Sequence, residues 1–467
     1  MKKTDLDRVT ENSNDMGIDR MSNPLHITIL GGGPAGLAVG YYARKHGLPF
    51  TIYEASNRIG GNSVTLNHGD FFFDSGAHRL HDKYSEVTKE LKNLLNEDLK
   101  KINVLSQIYH DGKFIDFPLS PLNLMKNLGL YAFVKAGFEV ASSRLRTTES
   151  NRNFESFALH AYGKTIADRF LLQYSERLWG APCNRLSLDI AGKRMKGLNL
   201  RTFLTEAILG RKTKTNHLEG SFYYPKMGIG TIAEKLAEFC GEENIVRNSI
   251  ITKILRDHAR IQAVEVNGRE RIDTDEVVST LPLNLFLQML EPLPPEEILL
   301  LARSLRYRNV ILVALFLNRE SVTEAATVYF PDPDFPFTRI YEPKNRSIYM
   351  SPPGQTSLVA EIPCQENDKF WTLYDDKLIR LVCSRLVQIG WIKEEEIIDT
   401  LVSRINYAYP ILEVGFEKKI RKINAFLKGL SNLKLSGRNG KFTYAWIHNM
   451  MKFGKEIIEE YIRPSRK

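Results

Sequence analysis

Three glycines spaced Gly31, Gly33, Gly36 constrain this chain more than any other feature, because of what flanks them in HITILGGGPAGLAVGYYARKHGLPFTIYE, which starts at His26. The β-branched and apolar run Ile27, Thr28, Ile29, Leu30 suits a buried parallel strand. The chain must then turn sharply. Gly31 permits that turn, Gly33 lets backbone approach a pyrophosphate, and Gly36 lets the following helix pack close to the strand. The amides at the helix start, near Pro34, Ala35 and Gly36, then face the phosphates with the positive end of the helix dipole behind them. A second strand over residues 49–53 ends at Glu54, eighteen residues beyond Gly36, close to the spacing at which an acidic side chain accepts hydrogen bonds from a ribose. Strand, glycines, helix, second strand and acidic end, in that order, predict a dinucleotide-binding unit and leave open whether a flavin or a nicotinamide occupies it.

Arg58, Gly60, Gly61 and Asn62 narrow the choice. The run EASNRIGGN resembles the extension that follows the ribose-binding glutamate in the superfamily of FAD-dependent amine oxidases, protoporphyrinogen oxidases and UDP-galactopyranose mutases. The resemblance implies FAD as cofactor, with the arginine and paired glycines along its diphosphate and ribityl chain. It also implies an α/β fold, with a discontinuous Rossmann-like FAD-binding domain and an inserted helical and strand-rich substrate domain.

With 467 residues and 43% hydrophobic residues, the chain is long enough for two or three lobes with large cores. Lys plus Arg at 64 against Asp plus Glu at 55 gives +9, an excess that serves an anionic substrate or a membrane surface as well as nucleic acid. No nucleic-acid motif accompanies it, and the basic run Arg211, Lys212, Lys214 is expected to be a solvated loop. Cys183, Cys240, Cys364 and Cys383 are widely spaced with no CxxC, so neither a disulfide framework nor a metal site is indicated, and a reducing, cytoplasmic setting is expected. The first 24 residues are polar and charged, which predicts a disordered lead rather than an export signal. Residues 128–145 are mostly apolar but carry Lys135 and Glu139, four apart. That spacing predicts an amphipathic helix covering a core or pocket, with peripheral membrane contact as the lesser reading.

Three separated pieces are compatible with a discontinuous cofactor domain: residues 25–81, 219–304 and 407–467. Between them lie a helical insertion, 82–218, and a strand-rich one, 305–406, expected to form the substrate lobe with the active site in the crevice between lobes.

Further matches to the superfamily carry chemistry. Asp74, Ser75, Gly76, Ala77, His78 resemble the DxGAH element of the mutases, which implies a glycine and an imidazole near the flavin ring; from the residue alone His78 is equally a core histidine. YSERLWG, residues 174–180, resembles the mutase stretch beside the sugar nucleotide, a match resting on Tyr174 and Trp179. FTRIYEPK, residues 337–344, is similar to a loop that carries a substrate-diphosphate arginine, and selects Arg339, whose planar guanidinium clamps phosphate oxygens as lysine cannot. Gly437 and Arg438, followed by Tyr444, resemble the element that approaches the FAD pyrophosphate and leads to the flavin edge. The acidic residue expected after Met450 is replaced by Met451, which departs from the mutases. YYPKMGIGTIAEKL resembles an element shared by the oxidases, and Val246 matches the position whose backbone meets adenine, although an ordinary strand valine fits the residue equally.

Three functions therefore compete. An FAD-dependent oxidoreductase of amine oxidase or protoporphyrinogen oxidase type, moving a hydride from a small-molecule substrate to the flavin, is preferred. A mutase rearranging a nucleotide sugar without net redox is the alternative, and a non-catalytic flavoprotein the third. The candidate catalytic residues are His78, Arg339 and Tyr444, with Tyr174, Trp179 and Arg339 on the substrate.

Overall fold

The computed structural model describes residues 25–117, 125–127, 129–145, 153–191 and 221–463. The expected lead, residues 1–24, and the basic run at 211–214 lie outside the described residues.

Ile27–Leu30 is buried along its whole length at the centre of a five-stranded sheet. The order is Leu433–Leu435, Glu276–Ser279, Ile27–Leu30, Phe50–Tyr53, Ile245–Val246, and every ladder is parallel. Strands from three distant parts of the chain thus meet in one layer, as the discontinuous reading expects. The chain leaves Ile27–Leu30 toward one side and returns on the other, so a crevice opens at the carboxyl end of that strand. Pro34–Lys45 packs over the sheet and buries ten consecutive residues, Pro34 to Ala43. A helix apolar all round must be covered on both sides. The helices Gly230–Cys240 and Ile447–Ile462 supply that cover, the latter crossing closely at Gly454, where a Cβ would stand 2.8 Å from the Ala38 carbonyl carbon.

The second lobe is a seven-stranded sheet in the order Ile397–Pro410, Tyr307–Leu317, Thr356–Cys364, Arg339–Tyr341, Val328–Tyr329, Ser106–His110, Lys113–Phe117. The second strand in that order, Tyr307–Leu317, reads YRNVILVALFL because both of its faces are covered. Val310, Leu312, Ala314 and Phe316 join the core that reaches the cofactor lobe, and Ile311, Val313, Leu315 and Leu317 join a separate core against Asp375–Gln388.

Two expectations need correction. The first insertion is not helical throughout: Leu99–Asn103, Ser106–His110 and Lys113–Phe117 are strands, and the last two extend the sheet built by the second insertion. Asp111 and Gly112, both at positive φ, turn Ser106–His110 back onto Lys113–Phe117, a hairpin signal the sequence reading passed over; only the pairing to Val328–Tyr329, some two hundred residues away, left no local trace. The last strand of the lobe also runs on to Pro410, past the expected boundary at 406.

Leu130–Leu145 is a helix, as expected, but Lys135 and Glu139 do not share a role. Glu139 turns inward and accepts the Thr165 amide at 2.7 Å and its hydroxyl at 2.9 Å, while Tyr131, Val134 and Phe138 are exposed. Among the described residues no helix is long and apolar enough to cross a membrane.

Candidate active site

The predicted phosphate cradle forms at the carboxyl end of Ile27–Leu30. Gly31 has φ +105°, and a Cβ on Gly36 would stand 1.9 Å from the Gly31 carbonyl oxygen, so neither position admits a side chain. Gly33 differs: a Cβ there would meet nothing nearer than the Gly61 Cα at 3.8 Å. Its surface is open. No side chain caps the helix Pro34–Lys45, which leaves the first-turn amides around Ala35 and Gly36 facing that opening. Glu54, at the end of Phe50–Tyr53, accepts the Gly32 amide at 2.7 Å and the Ser56 amide and hydroxyl at 2.9 Å each, which fixes its carboxylate beside the cradle.

Gly60 and Gly61 close over this loop, the Gly60 amide donating to the Gly32 carbonyl at 2.9 Å. Arg58 is exposed, its guanidinium reaching back toward the Gly61 carbonyl at 3.5 Å. Gly437, with φ +81°, brings the third loop against Ala35. Val246 has an exposed side chain, and its carbonyl accepts the Glu54 amide at 2.9 Å within the sheet. An uncapped helix start, an open backbone at Gly33 and a fixed carboxylate on the ribose side suit a dinucleotide diphosphate.

Next to the cradle a cavity of about 130 Å³ lies between the lobes. Its wall includes Asn62, His78, Trp179, Arg339, Arg438 and Tyr444. Residues drawn from four distant stretches thus converge. Trp179 stands between Tyr409 and Tyr444, edge-on to both at 5.2 Å. Tyr174 does not line the cavity; it packs edge-on behind Tyr329, which does.

Arg339 faces Glu361 directly across two antiparallel strands, with Nε and Nη2 at 2.6 and 2.5 Å from the carboxylate. Burial alone would lower the pKa of this arginine, but the Glu361 charge outweighs it and leaves the guanidinium firmly protonated. The other Glu361 oxygen accepts the Ala77 amide at 2.8 Å, so the pair also holds the loop of residues 74–78. Asp74 anchors the start of that loop: its buried carboxylate accepts the Tyr224 hydroxyl at 2.6 Å and the Ile229 amide at 2.9 Å. Burial, reinforced by the Arg438, Arg339 and Arg346 charges, holds His78 down to about 3. Its imidazole is therefore neutral at physiological pH.

Arg438, which the resemblance matches to the element approaching the FAD pyrophosphate, lies on the cavity wall. Its guanidinium donates to the Ala445 carbonyl at 2.8 Å and the Ala408 carbonyl at 2.7 Å. Burial lowers its pKa. Asn62 likewise directs its side chain to the Asn406 and Tyr407 carbonyls, at 2.9 and 3.0 Å.

The sequence reading missed Arg79, Tyr329, Glu361, Tyr409 and Trp446, all on the cavity wall. Two had a usable signal. Glu361 is the lone acid in the apolar strand TSLVAEIPC, where an unpaired carboxylate would be costly, and Arg79 adjoins the GAH run.

A family model described as flavin containing amine oxidoreductase matches residues 34–409. The chain belongs to that family. Like its family, it is an FAD-dependent enzyme. Coproporphyrinogen III oxidase of Bacillus subtilis (strain 168) is 22% identical over 433 residues, covering 86% of this chain and 90% of its own length. The crystal structure of a reduced UDP-galactopyranose mutase superposes with a TM-score of 0.84 at 21% identity, over 94% of this chain and 96% of the other. Cyclohexylamine oxidase from Brevibacterium oxydans IH-35A superposes at 0.69 and 13% identity, over 94% of this chain and all of its own. Likenesses this remote establish the fold and leave the reaction to the site.

Proposed function

We propose that this flavoenzyme oxidises an anionic, carboxylate-bearing small molecule of porphyrinogen type. One observation carries the reading: among the described charged residues lining the cavity, three are guanidiniums, Arg79, Arg339 and Arg438, and one is a carboxylate, Glu361. A neutral His78 adds no charge. Such a wall attracts carboxylates and repels a protonated amine, so within the family it favours porphyrinogen-like substrates over amines. The full-length likeness to a coproporphyrinogen III oxidase supports the same direction.

FAD, when bound, accepts the hydride. The chain's own residues would supply position and environment. Arg339 and Arg79 would hold substrate carboxylates, with Glu361 and the Ser106 and Thr327 hydroxyls fixing the two guanidiniums. Trp179, Tyr409 and Tyr444 would form an apolar wall that excludes water from the reacting carbon. His78, neutral in this setting, would act as a hydrogen-bonding neighbour rather than a proton reservoir.

A second reading, rearrangement of a nucleotide sugar, has its own support in Arg339, which lies on the cavity wall and could bind a diphosphate as well as carboxylates. Two assays separate them. Arg339→Ala should weaken coproporphyrin III binding, followed through the flavin absorbance, by tenfold or more on the order expected for a charged hydrogen-bonded partner. If instead dithionite-reduced protein isomerises a UDP-sugar with no net electron consumption, the oxidase reading fails.

A further inference from the structure

The two cofactor loops grip the substrate lobe at one place, and that place is irregular. Tyr307–Leu317 and Ile397–Pro410 pair as Arg308 with Tyr409 and then Val310 with Ile405, so Asn309 alone stands opposite Asn406, Tyr407 and Ala408. The extra residues bulge out of the ladder. Tyr407 there has φ +51°, a left-handed conformation that costs an aromatic residue on the order of 1 kcal/mol unless neighbours enforce it.

The enforcement is visible. Asn309 Oδ1 accepts the Tyr407 amide at 3.0 Å. On the other side the bulge presents three consecutive carbonyls to the cofactor lobe. Asn62 Nδ2 donates to those of Asn406 and Tyr407, Asn439 Nδ2 to that of Tyr407 at 2.9 Å, and Arg438 Nη1 to that of Ala408. Asn62 directly follows Gly60 and Gly61, which close over Gly33, and Asn439 follows Gly437, which packs on Ala35. Asn62 also accepts the Ser75 hydroxyl on its carbonyl at 3.0 Å, beside His78. Ile405, Ala408 and Tyr409, immediately around the bulge, line the cavity.

We propose that Asn62 and Asn439 are positioning residues that couple occupancy of the FAD cradle to the shape of the substrate cavity, through the bulge at residues 406–408. FAD seated against the Gly33, Gly61 and Gly437 backbone fixes both loops. Their asparagines then hold Tyr407 in its left-handed conformation, which sets where Ala408 and Tyr409 stand against the substrate. The inference rests on FAD being the cofactor and is independent of which molecule is oxidised.

Hydrogen exchange of the full chain with and without FAD tests it, with FAD affinity measured on the same samples. In the wild type FAD should slow exchange at residues 405–409 by about tenfold or more, together with residues 31–37. Asn62→Asp and Asn439→Asp keep the side-chain shape but replace the donor by an oxygen facing a carbonyl. In each, FAD should still protect residues 31–37, while the FAD-dependent protection at 405–409 is lost and the protection seen without FAD stays the same. The inference is overturned if FAD protects residues 31–37 of the wild type but leaves 405–409 unchanged, a result that needs no variant to fold. It is equally overturned if both variants keep the FAD-dependent protection at 405–409. Absence of protection at both segments would sink the FAD site itself.

Discussion

Replacing Glu361 should lower stability and raise the affinity for anions, a combination that few structural roles produce. Its side chain is only 2% exposed, and its oxygens serve Arg339 and the Ala77 amide. Breaking a buried ion pair by removing one partner costs about 3–5 kcal/mol. Arg339 retains 23% exposure toward the cavity, so water offsets part of its orphaned charge, and Glu361→Leu should cost about 3 kcal/mol, the lower end of that range. Adding Arg339→Met should restore most of it, because an apolar pair replaces an ionic one. Glu361→Gln keeps an acceptor for the Ala77 amide and removes the only carboxylate among the described residues lining the cavity. For an anion bound beyond Arg339, on the order of 7 Å from that charge, the repulsion removed is about 0.6 kcal/mol in water-like surroundings and about 2.4 kcal/mol at an effective dielectric of ~20. Affinity should then rise by about threefold to about fiftyfold. Urea unfolding followed by flavin release reports the first effect, and flavin perturbation by coproporphyrin III the second. Weaker anion binding by Glu361→Gln would mean that Glu361 touches the ligand itself, and the assignment of the carboxylate as a partner of Arg339 would be wrong.

The cradle glycines should separate by function. Gly33→Val should leave the fold without FAD nearly as stable as wild type and abolish FAD retention, whereas Gly36→Ala should fail to fold, since its Cβ meets the Gly31 carbonyl; equal loss of folding in both would contradict the open surface at Gly33. For His78, the folded value of about 3 lies below the usual value near 6.5, so only the unfolded chain takes up a proton between those pH values. Stability from this residue is therefore present above pH ~6.5 and lost as pH falls toward 3, with a slope of at most about 1.4 kcal/mol per pH unit, less because part of the ring meets the cavity. The stability difference between wild type and His78→Gln should shift in favour of the variant as pH falls from ~7 to ~4, and a constant difference would refute the neutral imidazole.

The cradle was legible in the sequence because each of its parts is local: a strand, a turn that only glycine can make, an open helix start and Glu54 at the next strand end. The cavity was legible only where a motif adjoined it, at His78, Trp179, Arg339 and Tyr444. Tyr329 and Tyr409 reach it through strand pairings between distant segments, which no local pattern encodes, while Glu361 was marked only as a lone acid in an apolar strand, with nothing local to name its partner. Arg438 and Asn62 illustrate a different limit. Their positions matched known motifs, yet their side chains turn to backbone carbonyls of a bulge more than three hundred residues from Asn62, a contact between distant segments that the motif itself does not encode.

On the proposed reading the chain removes electrons from an anionic substrate held by its arginine-lined cavity. Anaerobic addition of coproporphyrinogen III to the FAD-loaded protein should then bleach the oxidised-flavin absorbance in proportion to substrate, while a simple primary amine leaves it unchanged. Bleaching by the amine with none by the porphyrinogen would contradict that reading.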